Sequence, residues 1–125
     1  MVTLAAVITL IVLALLTAFQ VALVFGAPLG RFAWGGQHKG VLPRKLRIAS
    51  IFSIVIYGVF ALFVFGKLDI FVINPPILSV GLWVFTAYFI LGTIMNAVSR
   101  SKYERYTMTP IAAVLAVCFL VLVIG

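Results

Sequence analysis

Four long apolar stretches divide this chain, and they limit its possible folds more than any other feature. They cover residues 4–25, 48–65, 77–98 and 110–124, and none contains a charged side chain. About 20 helical residues cross the hydrocarbon core of a bilayer, so the first three are long enough to span it and the fourth is slightly short. Thr107 and Thr109 extend the fourth toward the interface, with Thr109 as the expected N-cap and Pro110 in the first helical position.

The composition points to a membrane rather than to water. Hydrophobic residues make up 66% of the chain and charged residues 9%, which is far from the average of soluble proteins. The apolar runs are continuous, whereas membrane β-strands alternate apolar and polar residues. The first run has no basic segment before it and is too long for a cleaved signal peptide. The sequence therefore predicts an all-α membrane protein with one domain, residues 1–125, and helices at roughly 4–25, 48–65, 77–98 and 107–124.

The basic residues indicate how these helices are oriented. The loop 26–47 contains Arg31, Lys39, Arg44, Lys45 and Arg47, and the loop before the fourth helix contains Arg100, Lys102 and Arg105. The loop between the second and third helices has only Lys67. Because cytoplasmic loops are enriched in lysine and arginine, both basic loops are expected in the cytoplasm and both termini outside. This predicts a four-helix bundle of two hairpins, multi-pass in the plasma (inner) membrane, and explains the net charge of +7 without nucleic acid.

The first helix carries a row of small residues, Ala14, Ala18, Ala22 and Gly26, spaced four apart. Small residues let membrane helices approach closely. The row predicts helix packing, and it leaves open whether the partner is a helix of the same chain or of a second copy.

Four polar residues lie near the cytoplasmic ends of the first three helices: Gln20, Ser53, Thr93 and Asn96. At 1.5 Å per residue, Gln20, Ser53 and Asn96 fall within about 3 to 9 Å of that boundary. Glutamine and asparagine amides are costly in hydrocarbon unless they are paired. The layer is therefore expected to hold the helices together or to form a polar ligand pocket that opens to the cytoplasm.

The first loop is rich in glycine and basic residues. Glycines 30, 35, 36 and 40 permit positive φ, so that successive amides could cradle an anion, although no nucleotide-binding fingerprint is present. Tryptophan and arginine side chains suit the headgroup region of a bilayer. The candidates for lipid or anion binding are Arg31, Trp34, His38, Arg44, Lys45 and Arg47.

Residues for catalysis are scarce. One histidine, the single cysteine Cys118 and two acids supply neither a metal-ligand cluster nor a nucleophile with its base, so we expect no enzyme activity, cofactor or metal. The two acids, Asp69 and Glu104, fall in predicted loops. A proton-coupled exporter of cations needs a carboxylate inside the membrane, so this placement argues against that class. Glu104 is expected to form an ion pair with Lys102 or Arg105.

Two segments, GAPLGRFAWGGQHKGVLPRKLRIAS and MNAVSRSKYERYTMTP, give the chain a family resemblance. It resembles small bacterial integral membrane proteins that have no assigned function. The resemblance implies a bacterial plasma membrane and four helices, and it supplies no catalytic residue.

Two functions fit these observations. The first is a non-enzymatic membrane protein, oligomeric or part of a larger membrane complex, whose basic cytoplasmic face engages anionic lipid or an acidic partner. The alternative is a small oligomeric transporter or channel that uses the polar layer as its path.

Overall fold

Four long helices form the whole architecture of the computed structural model, which describes residues 1–125. They are α1 (Val2–Val24), α2 (Arg44–Lys67), α3 (Pro75–Ala97) and α4 (Lys102–Ile124). Each is long and apolar enough to cross a membrane, and the chain has no β-strand. The predicted all-α fold is therefore confirmed, with four helices that are long and apolar enough to span a membrane.

All four helices begin earlier than predicted, α1 and α3 by two residues and α2 and α4 by more. Pro43 is the N-cap of α2, and Ser101 is the N-cap of α4, where its Oγ accepts a hydrogen bond from the Glu104 N–H at 3.3 Å. Pro110 lies inside α4, so the prediction that Thr109 caps this helix is wrong. Apolar composition marks only the part of a helix that crosses hydrocarbon, and the basic first turns of α2 and α4 continue the helices beyond it.

Neighbouring helices in the bundle do not pack equally. The α3–α4 contact is the most extensive, the α1–α2 and α1–α4 contacts follow, and the α2–α3 contact is the smallest. The apolar core between them is centred on fully buried side chains such as Leu115, Phe119 and Leu122 of α4. The four helices thus close into a ring whose weakest seam lies between α2 and α3.

Aromatic side chains hold the α2–α3 seam together in the half of the bundle away from the basic loops. The ring of Phe60 lies 4.6 Å from that of Phe85 and 5.2 Å from that of Phe89, both edge to face. Phe63 packs on Phe85 at 4.9 Å and also covers Gly81. Each such pair adds about 0.5 to 1.5 kcal/mol beyond the area it buries. These contacts fix one end of the seam and leave the other end without direct aromatic packing.

The row of small residues on α1 does not form the packing face of this helix within one chain. Ala14 and Ala18 are exposed, and Ala22 and Gly26 are partly buried. The buried face of α1 is formed by Ala5, Ala6, Thr9, Leu13, Leu16, Gln20 and Leu23. Because that face lies on a different side of the helix, the intramolecular interpretation is wrong for Ala14 and Ala18. Packing of the row against a second copy stays a prediction.

Candidate functional site

The first basic loop is folded, and we call residues 25–43 the cap loop. Its backbone closes on itself where the Gly30 N–H donates to the Gly40 carbonyl oxygen at 2.9 Å. Leu23, Ala33 and Leu42 form a small buried core beneath it. The cap loop is therefore a compact structure that covers one end of the bundle, which we call the basic end.

Hydrogen bonds join the cap loop to both helical hairpins. Trp34 Nε1 donates to Ser50 Oγ of α2 at 3.2 Å, and Ser101 Oγ, at the turn between α3 and α4, donates to the Arg31 carbonyl oxygen. Trp34 and the two glycines after it have positive φ values of 52°, 75° and 69°. This left-handed run turns the chain so that Trp34 reaches inward while the glycines pass the α3–α4 turn.

A cavity of about 470 Å³ lies between the cap loop and the aromatic seam, and all four helices contribute to it. Hydrophobic residues supply 14 of its 19 lining positions, so it suits a molecule that is largely apolar. The other five positions include the polar residues Gln20, Ser53, Asn96 and Glu104, and Tyr57 and Tyr88 add hydroxyl groups to the hydrophobic part.

The cavity opens on the side of the bundle. Leu91 and Met95, on its α3 wall, are 60% and 62% exposed, and they belong to the surface that meets lipid when the helices span a membrane. The opposite part of the lining, including Leu16 of α1 and Leu115 of α4, is buried. The cavity is thus a cleft along the α2–α3 seam, closed at the basic end by Phe32, Ala33 and Trp34 of the cap loop.

The structure brings three of the four predicted polar-layer residues together. Gln20, Ser53 and Asn96 all line the cavity, on α1, α2 and α3 respectively. Thr93 is not part of the lining, and its hydroxyl donates to the Phe89 carbonyl oxygen of its own helix at 2.7 Å. Ser53 likewise donates to the Ala49 carbonyl oxygen at 3.3 Å.

Gln20 differs from the other members of this layer because its amide oxygen is both buried and without a hydrogen-bond partner. The residue is only 7% exposed, and Oε1 is buried without any hydrogen-bond donor. Leaving such an acceptor unpaired costs about 1 to 3 kcal/mol, and native proteins pair nearly all of them. The Tyr57 hydroxyl lies beside the Gln20 side chain in the same lining, but Oε1 itself accepts no hydrogen bond, so this acceptor is available to a donor on a molecule in the cavity.

Glu104 belongs to the site, which the sequence interpretation missed. It lies in the first turn of α4, is 8% exposed and lines the cavity. The expected ion pair is absent, because Glu104 Oε2 accepts a hydrogen bond from Ser99 Oγ at 3.1 Å and Arg105 donates to the Ser99 carbonyl oxygen at 3.2 Å. The spacing of Ser101 and Glu104 is that of a capping box, and this signal would have placed Glu104 on a helix.

The charge of the cavity lining follows from its composition. Glu104 is the only acidic residue of the lining, and the lining contains no lysine, arginine or histidine. The backbone amide of Gly35 in the cap loop also lies against the Glu104 carboxyl group. Glu104 therefore lies on a helix and is buried, so the prediction that it falls in a loop is wrong.

The lipid and anion candidates do not converge on one pocket. Arg47 donates from Nε and Nη2 to the Val24 carbonyl oxygen at 2.9 and 2.7 Å, so it caps α1. The Arg31 guanidinium lies over the Tyr103 ring, 4.7 Å from its centre. His38, Arg44 and Lys45 are exposed, and Trp34, which is 37% exposed, lines the cavity.

The amides of the cap loop are also engaged within the chain. The Gly36 N–H donates to the Ala33 carbonyl oxygen at 2.9 Å, and the Gly35 amide faces Glu104. The fold of the cap loop thus explains three of the four glycines, Gly35 and Gly36 by their positive φ and Gly30 by its close approach to the His38 carbonyl group, and the anionic group next to the loop is the carboxyl of Glu104.

Comparison with known proteins adds no assignment: the chain matches no protein-family model, no curated protein and no solved structure. The basis for its function is therefore the geometry of this cleft, with its apolar walls, the unpaired Gln20 oxygen and the Glu104 carboxyl.

Proposed function

We propose that this small integral membrane protein binds an amphipathic molecule of the bilayer in the cleft between α2 and α3. The observation that carries the proposal is the buried Gln20 Oε1, an acceptor without a donor in a mostly apolar cavity. The apolar part of the ligand would pack against the hydrophobic walls. A donor group on the ligand would bond to Gln20, with Ser53 and Asn96 within the same cleft.

The shape of the cleft supports entry from the bilayer. Its α3 wall is exposed at Leu91 and Met95, on the lipid-facing side, while the cap loop covers the basic end. A molecule dissolved in lipid would reach Gln20 by moving sideways between the helices, without passing through the cap loop. This differs from the expectation of a pocket that opens to the cytoplasm.

The transport alternative shares this site. The α2–α3 seam is the smallest helix contact, so it is the one that can widen with least loss of packing. Release of a ligand toward the basic end would require the cap loop to separate from Ser50 and Ser101. Binding in the cleft comes first in either function, and neither involves catalysis by the protein.

The second part of the proposal concerns the membrane in which the protein lies, its orientation there and its partners. Both basic loops face the cytoplasm from a bacterial plasma membrane, with the termini outside, in accordance with the distribution of basic residues. Exposed Arg44 and Lys45 then engage anionic lipid headgroups or an acidic partner surface. The exposed Ala14 and Ala18 supply a surface on which copies of the chain or another membrane subunit pack.

A fluorescent probe tests the binding proposal. N-phenyl-1-naphthylamine is uncharged and has an apolar body and one N–H donor. With Trp83 replaced by Phe, energy transfer from Trp34 to this probe should saturate, because Trp34 lines the cleft. Gln20→Leu should weaken the affinity about 5- to 10-fold, the loss of one hydrogen bond of about 1 kcal/mol.

The matched control is Gln37→Leu, the same change at an exposed glutamine of the cap loop. It should leave the affinity unchanged. Energy transfer that rises without saturation, as for simple partition into lipid, would overturn the proposal, and so would equal affinities for the two variants.

A further inference from the structure

We infer that the ligand of this cleft is a lipophilic cation, such as a protonated amine or a quaternary onium ion with apolar substituents. The inference rests on the proposed binding function and specifies the chemical class of the ligand. Three features of the lining support it: a single carboxyl group, the absence of any basic side chain and a set of aromatic rings.

The carboxyl group is the first feature. Glu104 is buried in the lining, and it forms no ion pair with Arg31 or Arg105: Arg31 lies over Tyr103, and Arg105 donates to the Ser99 carbonyl oxygen. A buried carboxylate without a countercharge is costly, and a cation placed beside it offsets much of that cost. An anionic ligand would instead add like-charge repulsion.

The aromatic rings are the last of the three features. Those in the lining are Phe19, Phe32, Trp34, Tyr57, Tyr88 and Phe89. The face of an aromatic ring attracts a cation, by about 2 kcal/mol or more when the pair is removed from water, and such rings are used in proteins to hold quaternary ammonium groups. Gln20 Oε1 adds an unpaired acceptor, which suits the N–H of a protonated amine.

A purely structural role for Glu104 makes a different prediction. Its carboxyl group also accepts a hydrogen bond from Ser99 in the α3–α4 turn and lies against the Gly35 amide of the cap loop. A carboxylate has about four lone-pair sites, so these contacts leave capacity for a ligand. If Glu104 only holds the cap loop, its replacement should affect cationic and anionic ligands alike.

Two probes of the same shape and opposite charge separate these roles: tetraphenylphosphonium and tetraphenylborate. Saturable binding of each is measured to wild type and to Glu104→Gln in nanodiscs of phosphatidylcholine. When the two proteins are compared with the same probe, the contribution from unspecific partition of that probe into the lipid is the same and cancels. The affinity for tetraphenylphosphonium should fall at least about 10-fold in Glu104→Gln, while that for tetraphenylborate should stay the same or rise. Asp69→Asn, at the only other acid and at the opposite end, should change neither.

A second variant keeps the test valid if Glu104→Gln does not fold. Asn96→Asp adds a carboxyl group to the same lining and should strengthen tetraphenylphosphonium binding and weaken tetraphenylborate binding. Equal effects on both probes in either variant would overturn the inference. If the neutral naphthylamine or tetraphenylborate binds saturably while the phosphonium ion does not, the cationic ligand class is wrong and the binding function stands. If no probe binds saturably, both are wrong.

Discussion

A Cβ atom on Gly36 would lie 2.1 Å from the Cβ atom of Ser101, so the cap loop and the α3–α4 turn meet at a position where only glycine fits. At the same place Ser101 Oγ bonds the Arg31 carbonyl oxygen and also caps α4. One contact therefore fixes the start of α4, the position of the cap loop and the closed end of the cleft.

Gly36→Ala should loosen this contact. Its φ of +69° and the overlap with Ser101 both oppose a side chain, and the expected loss is about 2 kcal/mol or more of unfolding free energy. Thermal unfolding in detergent, followed by tryptophan fluorescence, measures the loss. Gly35 also has a positive φ but has open space around it, so Gly35→Ala should lower the unfolding free energy by about half as much. Gly40→Ala should leave the unfolding free energy nearly unchanged. Equal losses for alanine at positions 35 and 36 would show that the close contact is not important.

Arg47→Lys should destabilise the first hairpin by about 1 to 2 kcal/mol. The guanidinium donates two hydrogen bonds to the Val24 carbonyl oxygen, at the C-terminus of α1, and a lysine cannot reproduce that fork. Arg44→Lys makes the same change at an exposed position and should have little effect. The measurement is the midpoint of thermal unfolding, and similar midpoints for both variants would argue against the capping role.

The four helices could be predicted because apolar length is a direct physical requirement for crossing a bilayer. Their ends could be predicted less well, since basic residues at the headgroup level are helical in α2 and α4 although they are not apolar. For α4 the capping box of Ser101 and Glu104 was the available signal, and Pro110 was the misleading one. A proline is favoured in the first turn of a helix but is tolerated inside a membrane helix.

The sequence predicts how deep the site residues lie along their helices, but not the direction in which each side chain points about its helix axis. Counting residues from the helix ends placed Gln20, Ser53 and Asn96 at one level, and the structure puts them in one cavity. Depth does not determine which way a side chain points about its helix axis, and Thr93 bonds its own backbone instead. The contribution of the cap loop depends on contacts between residues far apart in the chain, such as Trp34 Nε1 with Ser50, which no local pattern encodes.

Cysteine labelling tests the orientation in the membrane. In a Cys118→Ala background, a cysteine at position 39 or at position 69 is treated in intact cells with a maleimide that cannot cross membranes. Lys39 and Asp69 are both exposed and lie at opposite ends of the bundle. The expected result is labelling at position 69 in intact cells and at position 39 only after permeabilisation. The reverse pattern would place the basic end outside the cell.

Filling the cleft tests its role as a binding site most directly. Gly92 lines the cavity, and a Cβ atom added there would meet no other atom within 4 Å, so we expect the side chain of Gly92→Leu to extend into ligand space. Gly58→Leu is the matched control, because Gly58 is also helical with open space around it but is not part of the lining. Leucine favours a helix over glycine by about 1 kcal/mol or less, so neither variant should be less stable than wild type.

The decisive measurement is saturable binding of tetraphenylphosphonium and of N-phenyl-1-naphthylamine to these two variants in nanodiscs. Binding in the cleft predicts that Gly92→Leu abolishes saturation by both probes while Gly58→Leu retains the wild-type affinity. Unchanged affinities in folded Gly92→Leu would contradict the account, because the probes would then bind elsewhere on the protein.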